Sequence, residues 1–132
     1  MDYGWAGKTL QVDLSTGKVS TSPWDKEGKR FLGGRGGNSW LFWKHTKANM
    51  GPYDPEAPVI FGSGALAATG LIGASRMEVT VVSAAKTETH SIGNVGMGGH
   101  WAPELKYAGY DNIVIKGRAE KPVYLYVYND DV

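Results

Sequence analysis

Hydrophobic and polar positions alternate over residues 8–14, where Leu10, Val12 and Leu14 fall between Thr9, Gln11 and Asp13. This is the two-residue period of a strand with one buried face. Ser15-Thr16-Gly17 supplies turn chemistry and Val19 and Thr21 continue a second strand, so the chain opens with a hairpin. From Asp25 the pattern turns helical and polar, up to a break at Gly33-Gly34. Residues 37–47 then read as a helix with Trp40, Leu41, Phe42 and Trp43 on a broad apolar face, ended by Gly51-Pro52 and Asp54-Pro55. An apolar strand over 58–61 leads into a small-residue loop over 62–70, and 76–82 alternates with Met77, Val79 and Val81 on one face. A polar loop over 86–90 precedes a glycine cluster, Gly93, Gly96, Gly98 and Gly99, read as a loop. A short helix starts at Trp101, with Pro103 in its first turn, Trp101, Leu105 and Ala108 on one face, and Gly109 closing it. Residues 113–115 and 123–128 are two further strands around a polar turn at 117–121. The order β-β-α-α-β-β-α-β-β predicts an α+β fold with mainly antiparallel sheet and a few short helices.

Length makes residues 1–132 a single domain that buries roughly 70% of its unfolded surface. Asn129-Asp130-Asp131 reads as a turn after the 123–128 alternation, as if a hairpin were cut at its tip. The expectation is a fragment, or a subunit completed by another chain. Lys+Arg at 14 against Asp+Glu at 13 leaves +1, no global field for nucleic acid or an acidic membrane. No apolar run approaches the ~20 residues of a membrane span and Met1-Asp2-Tyr3 opens no signal segment, so a cytoplasmic location is expected. The absence of cysteine excludes disulfides, thiolate nucleophiles and cysteine-ligated zinc or iron–sulfur clusters within these residues. The 19 glycines, about twice the usual ~7%, imply many places where bare backbone is required.

A catalytic reading fails on spacing. His45, His90 and His100 have no arrangement suited to a shared metal, Gly62-Ser63-Gly64 lacks the register of a nucleophile elbow, and no carboxylate pair is placed for acid–base work. Gly33-Gly34-Arg35-Gly36-Gly37 invites a dinucleotide fingerprint, but Ser39 stands where the third glycine belongs and helix rather than strand precedes it. A glycine break between helices accounts for the run, with Arg35 free to contact an anion or another domain. Gly96-Met97-Gly98-Gly99 is the better candidate, since it directly precedes the Trp101 helix and follows a strand begun by Arg76. Converging backbone N–H groups, a helix N-terminus and a two-pronged guanidinium together suit a phosphate. The bland alternative is a tight loop whose glycines only reverse the chain, with Arg76 on the surface.

Residues 98–111, G-G-H-W-A-P-E-L-K-Y-A-G-Y-D, resemble the N-terminal domain of the aldehyde:ferredoxin oxidoreductase family, in wording most like the tungsten subunit of class II benzoyl-CoA reductases. Residues 7–18 resemble that family's first hairpin, 32–36 its L-G-x-R-G turn, and 121–126 a further block, so the likeness is collinear over nearly the whole chain. The resemblance implies a β-rich base for a tungsten or molybdenum bis-pyranopterin whose two phosphates are bridged by magnesium. It places the phosphate-contacting arginine at Arg76, the pterin and magnesium loop at Gly96, Met97, Gly98 and Gly99, and the magnesium-binding backbone carbonyl at Gly96. The family often has Asn where Gly96 falls, with Asn94 two residues early, and often two glycines where Ala74-Ser75 stand; the 76–104 loop is also a few residues longer. The resemblance also implies that the [4Fe–4S] cluster, its cysteines, the acid–base residues and the second pterin loop belong to later domains. Partners would be that remainder or a partner subunit, a ferredoxin-type electron carrier, and a second copy in a homodimer. The expected chemistry is two-electron oxidation of aldehydes or reduction of an activated carboxylic or aromatic acid, with no turnover by this chain alone. The alternatives are a non-catalytic phosphate-ligand binder, or an interaction module docking through Trp24, Tyr126 and Tyr128.

Overall fold

A computed structural model describes residues 3–85 and 91–132; the polar loop expected over 86–90 lies outside the described residues. One mixed six-stranded sheet carries helices on both faces. In chain order the elements are β1 (Lys8–Asp13), β2 (Lys18–Pro23), α1 (Lys26–Lys29), α2 (Gly34–His45), β3 (Val59–Gly62), β4 (Met77–Val82), β5 (Ile92–Met97), α3 (Trp101–Tyr107) and β6 (Asn112–Lys116). The strand order is β2-β1-β6-β3-β4-β5, antiparallel throughout except for the parallel β1–β6 pair. The α+β class and the mainly antiparallel sheet are therefore as the sequence predicts.

Alternation divides the core into two. Leu10 and Val12 of β1 join Met77, Ala102, Leu105 and Tyr110 under α3, while Ile60 and Val114 join Trp24 and Leu41 under α1 and α2. Each fully buried aliphatic of this kind stabilises the fold by about 1.5–3 kcal/mol. Helix α3 ends in a Schellman cap. Gly109, at φ +94°, donates to the Lys106 carbonyl and Tyr110 N–H donates to the Leu105 carbonyl, while Leu105 and Tyr110 meet in the same core.

Several expectations are corrected. The Gly93–Gly99 cluster is not a loop throughout: Gly93 and Gly96 lie in β5, because an edge strand needs only backbone pairing and β4 supplies it. Residues 123–128 form no ladder. Tyr124 faces outward and Val127 packs against the core, but among the described residues no strand pairs with this segment, and Tyr128 alone bridges Asp131 around Asn129. Helix α2 begins at Gly34, earlier than its apolar pattern, and buries Gly37, Asn38 and Leu41 while Trp43 stays exposed and stacks on Trp40. On β4 the residues Thr80 and Val82 are buried opposite Met77, since helices cover both faces. Trp24 is no docking surface: it is 4% exposed, and a Cβ on Gly28 or Gly37 would lie 2.5 or 3.1 Å from its ring.

Polar groups fix how these layers meet. Asn38 Nδ2 donates to the carbonyls of Ile60 (3.2 Å) and Glu78 (2.9 Å), and its Oδ1 accepts from Asn112 Nδ2 at 3.4 Å. A Cβ on Gly62 would fall 2.0 Å from that Oδ1, so the close approach of α2 to β3 requires glycine there. Asp25 caps α1 through Glu27 N–H and also accepts from Lys44 and Trp40; the Lys44 ammonium above all holds its carboxyl down at about 2. Deeper still, the Asp111 carboxylate accepts from Ala6 N–H at 3.1 Å, Gly7 N–H at 2.6 Å and the Lys106 ammonium, both charged side chains being buried. Lys106 also donates to the Gly4 carbonyl at 2.8 Å and lies 5.0 Å over the Trp5 ring.

Removing one partner of such a pair strands the other charge away from water, at about 3–5 kcal/mol. Asp111→Ala should therefore lower the unfolding free energy by about that amount in urea titrations, and Lys106→Met added to it should recover part of the loss. A second expectation concerns pH. His45 at the end of α2 is half-buried, and this desolvation, then Lys116 and Lys44, lowers its pKa below 6.5. The unfolded chain thus binds a proton that the folded chain refuses, so stability is full above 6.5 and falls as pH drops from there. Denaturation midpoints at about pH 7.5 and about pH 5.5 should differ less in His45→Gln than in the parent chain.

Candidate functional site

The open edge of the sheet gathers the residues singled out in the sequence. Arg76 directly precedes β4 and is exposed. Glu78 follows on the same face, since residues two apart on a strand point the same way, and the β4–β5 register sets Gly96 opposite Glu78 and Met97 opposite Met77. A Cβ built on Gly96 would stand 3.0 Å from Arg76 Cδ, 3.1 Å from Arg76 Nη1 and 3.5 Å from Glu78 Oε1. The arginine therefore lies across the bare glycine, and the close approach depends on there being no side chain. Gly98 and Gly99 continue into α3 with no atom within 4 Å of where their Cβ atoms would be, and Gly99 turns the chain at φ +86°. Met97 packs its side chain against the α3-side core.

Two residues that the sequence did not connect to this site reach it. Arg35, at the start of α2, places Nη2 3.4 Å from Glu78 Oε1. Glu78 itself has a side chain only 14% exposed, and its Oε2 has no hydrogen-bond partner among the described residues. The i, i+2 spacing from Arg76 was the available signal for Glu78. Asn94, noted as standing two positions early, accepts from the Thr80 hydroxyl at 2.7 Å. The Gly33–Gly37 run follows α1 rather than a strand, as read, and Gly33 bridges Gly64.

Arg76 also lines a groove of about 570 Å³ whose other walls include Leu32, Leu66, Leu71 and Ile72. Those four apolar side chains are all more than half exposed. Guanidinium, uncovered backbone and an apolar wall fit a ligand with an anionic end and a flat or apolar body. Among the described residues no group of three His, Cys, Asp or Glu side chains is placed to hold a metal ion. Nor is any helix there long and apolar enough to cross a membrane.

Residues 9–132 match the family model for the aldehyde ferredoxin oxidoreductase N-terminal domain. The chain belongs to this family. It is 37% identical over 131 residues to the tungsten-containing aldehyde ferredoxin oxidoreductase of Pyrococcus furiosus, covering 98% of this chain and 21% of that protein. The aliphatic sulfonate oxidoreductase WOR-like subunit of the same organism is 35% identical over 134 residues, again covering 98% and 21%. Among solved structures, the active-site complex of benzoyl coenzyme A reductase with 1,5-dienoyl-CoA superposes with a TM-score of 0.91 at 38% identity, covering 98% of this chain and 19% of that one. The chain thus spans about a fifth of the length of the curated relatives it matches.

The contact at Gly96 yields a direct test. In Gly96→Ala the new methyl meets the flexible end of Arg76 rather than backbone. The global stability should change by less than about 1 kcal/mol, while the Arg76 Nε–Hε resonance moves. A large loss of stability with an unmoved Arg76 signal would contradict the packing described.

Proposed function

We propose that this chain is the N-terminal, cofactor-cradling domain of a tungsten or molybdenum pyranopterin oxidoreductase. The observation that carries the reading is the Arg76 guanidinium lying across Gly96, beside the uncovered backbone of Gly98 and Gly99 and at the end of an apolar groove. Arg76 would neutralise a pterin phosphate with a charge-assisted, two-pronged contact. Gly96, Met97, Gly98 and Gly99 would present backbone groups to phosphate and magnesium, the Gly96 carbonyl being the magnesium ligand. A carbonyl oxygen suits magnesium, which takes hard oxygen ligands and keeps several of its waters. The exposed Leu32, Leu66, Leu71 and Ile72 would shield the body of the cofactor from water on this side.

When bound, the cofactor supplies two-electron transfer, for oxidation of an aldehyde or reduction of an activated carboxylic or aromatic acid. The domain's own residues bind and orient it. A [4Fe–4S] cluster, the acid–base groups and the docking of a ferredoxin-type carrier belong, in this reading, to the remainder of a larger cytoplasmic enzyme or to a partner subunit. Identities of 37% to an aldehyde enzyme and 38% to a benzoyl-CoA reductase structure support both substrate classes alike.

Metal and pterin analysis of the complete assembly from its native source tests the reading. Tungsten or molybdenum should be found with pterin, and the absence of both would overturn it. Arg76→Ala in the same assembly should lower pterin occupancy several-fold; unchanged occupancy would remove Arg76 from the site.

A further inference from the structure

We propose that Arg35 is a second guanidinium of the phosphate cradle and that Glu78 is the residue that positions it. The inference rests on the phosphate reading of Arg76 and Gly96 and adds a residue to each side of that contact.

The Arg35–Glu78 pair makes little sense as a stability device. Arg35 is 65% exposed, and an exposed ion pair contributes a few tenths of a kcal/mol to about 1 kcal/mol. Glu78, by contrast, gives up most of its hydration and leaves Oε2 without a hydrogen-bond partner among the described residues, which is unfavourable for a carboxylate unless positive charge stands close by. It has that charge on two sides. Oε1 faces Arg35, and the same oxygen shares the Gly96 position with Arg76. Two guanidiniums and one carboxylate around Gly96 leave an excess of one positive charge next to the exposed backbone of Gly98 and Gly99.

The placement of Arg35 is fixed from beneath. Asn38, one turn along α2, is fully buried and donates to the carbonyl of Glu78 itself, so helix and strand are locked at that residue. Gly34 N–H donates to the Ser63 carbonyl at 2.9 Å, which sets where the helix starts. The first turn of α2 holds no acidic residue, and the positive end of the helix disfavours an arginine there. Such a position suits a cation whose partner is an anion arriving from outside, with Glu78 holding the side chain in register until then.

Titration of the full chain with inorganic pyrophosphate, followed by amide and arginine Nε–Hε resonances, provides the test. Pyrophosphate should shift Gly96 and Gly98 in the parent chain. Arg35→Ala should weaken binding about 5–10-fold, with Arg35→Lys intermediate because the fork is lost and the charge kept. In a Glu78→Gln background the same Arg35→Ala change should matter less than about twofold, since the arginine is no longer held. If Arg76→Ala weakens binding but Arg35→Ala does not, Arg35 is outside the cradle and the proposed function stands. If Arg35→Ala is equally harmful in both backgrounds, Glu78 does not position it. If pyrophosphate shifts nothing in the parent chain, the phosphate reading falls and this inference with it.

Discussion

The fold depends on one buried residue, Asp111, whose backbone and side chain are all engaged. Its carboxylate takes two N–H groups from residues 6–7 and the Lys106 ammonium; its N–H donates to the Lys8 carbonyl, and its carbonyl accepts from both Ser63 N–H and Ser63 Oγ. A charge removed from water is tolerated only when its hydrogen-bonding capacity is filled in this way. Asp111 therefore joins the entry to β1, the end of α3, the start of β6 and the loop after β3. The parallel β1–β6 pairing, made between segments a hundred residues apart, forms beside it.

From Asp111 the constraint passes outward to the candidate site. Ser63, held by Asp111, accepts from Gly34 and so fixes the start of α2. Asn38 then pins that helix to β3 and β4, with Gly62 leaving room for the amide. Arg35 is carried to Glu78 as a consequence. Exposed side chains at the sheet edge are thus oriented by buried polar groups, because hydrogen bonds specify direction where apolar packing specifies mainly volume.

Much of this was legible in the sequence where local rules decide. The β1–β2 hairpin, the α3 helix and its glycine cap follow from period and turn chemistry; Arg76 and Gly96 were grouped around one phosphate, but their contact comes from the β4–β5 register, in a segment read as a loop. What escaped was decided by neighbours. β5 is a strand because β4 offers a ladder, and 123–128 is not one because it meets side chains of the core and, among the described residues, no strand to pair with, although this segment has the stronger alternation. The aromatic run of α2 misled about its buried face: a polar residue, Asn38, occupies the centre and Trp43 faces out. The family resemblance also had a different content from its wording. In the E-L-K-Y-A-G-Y-D block, Leu105, Lys106, Gly109, Tyr110 and Asp111 serve the core, the cap and the buried ion pair rather than a ligand.

The edge itself points the same way as the site. Sheet edges are commonly guarded by charged residues, proline or a bulge, because an open row of backbone groups invites pairing with other chains. β5 has none of these guards in Ile92-Gly93-Asn94-Val95-Gly96-Met97, and it exposes Val95 at 60%. As a surface of a free-standing domain this edge would be a liability. The same features become requirements if backbone is what must be presented: side chains on Gly96 would displace Arg76, and charges along the strand would compete with it for an anion. The lack of protection and the proposed phosphate contact therefore rest on one composition, glycine at the edge opposite a carboxylate flanked by arginines.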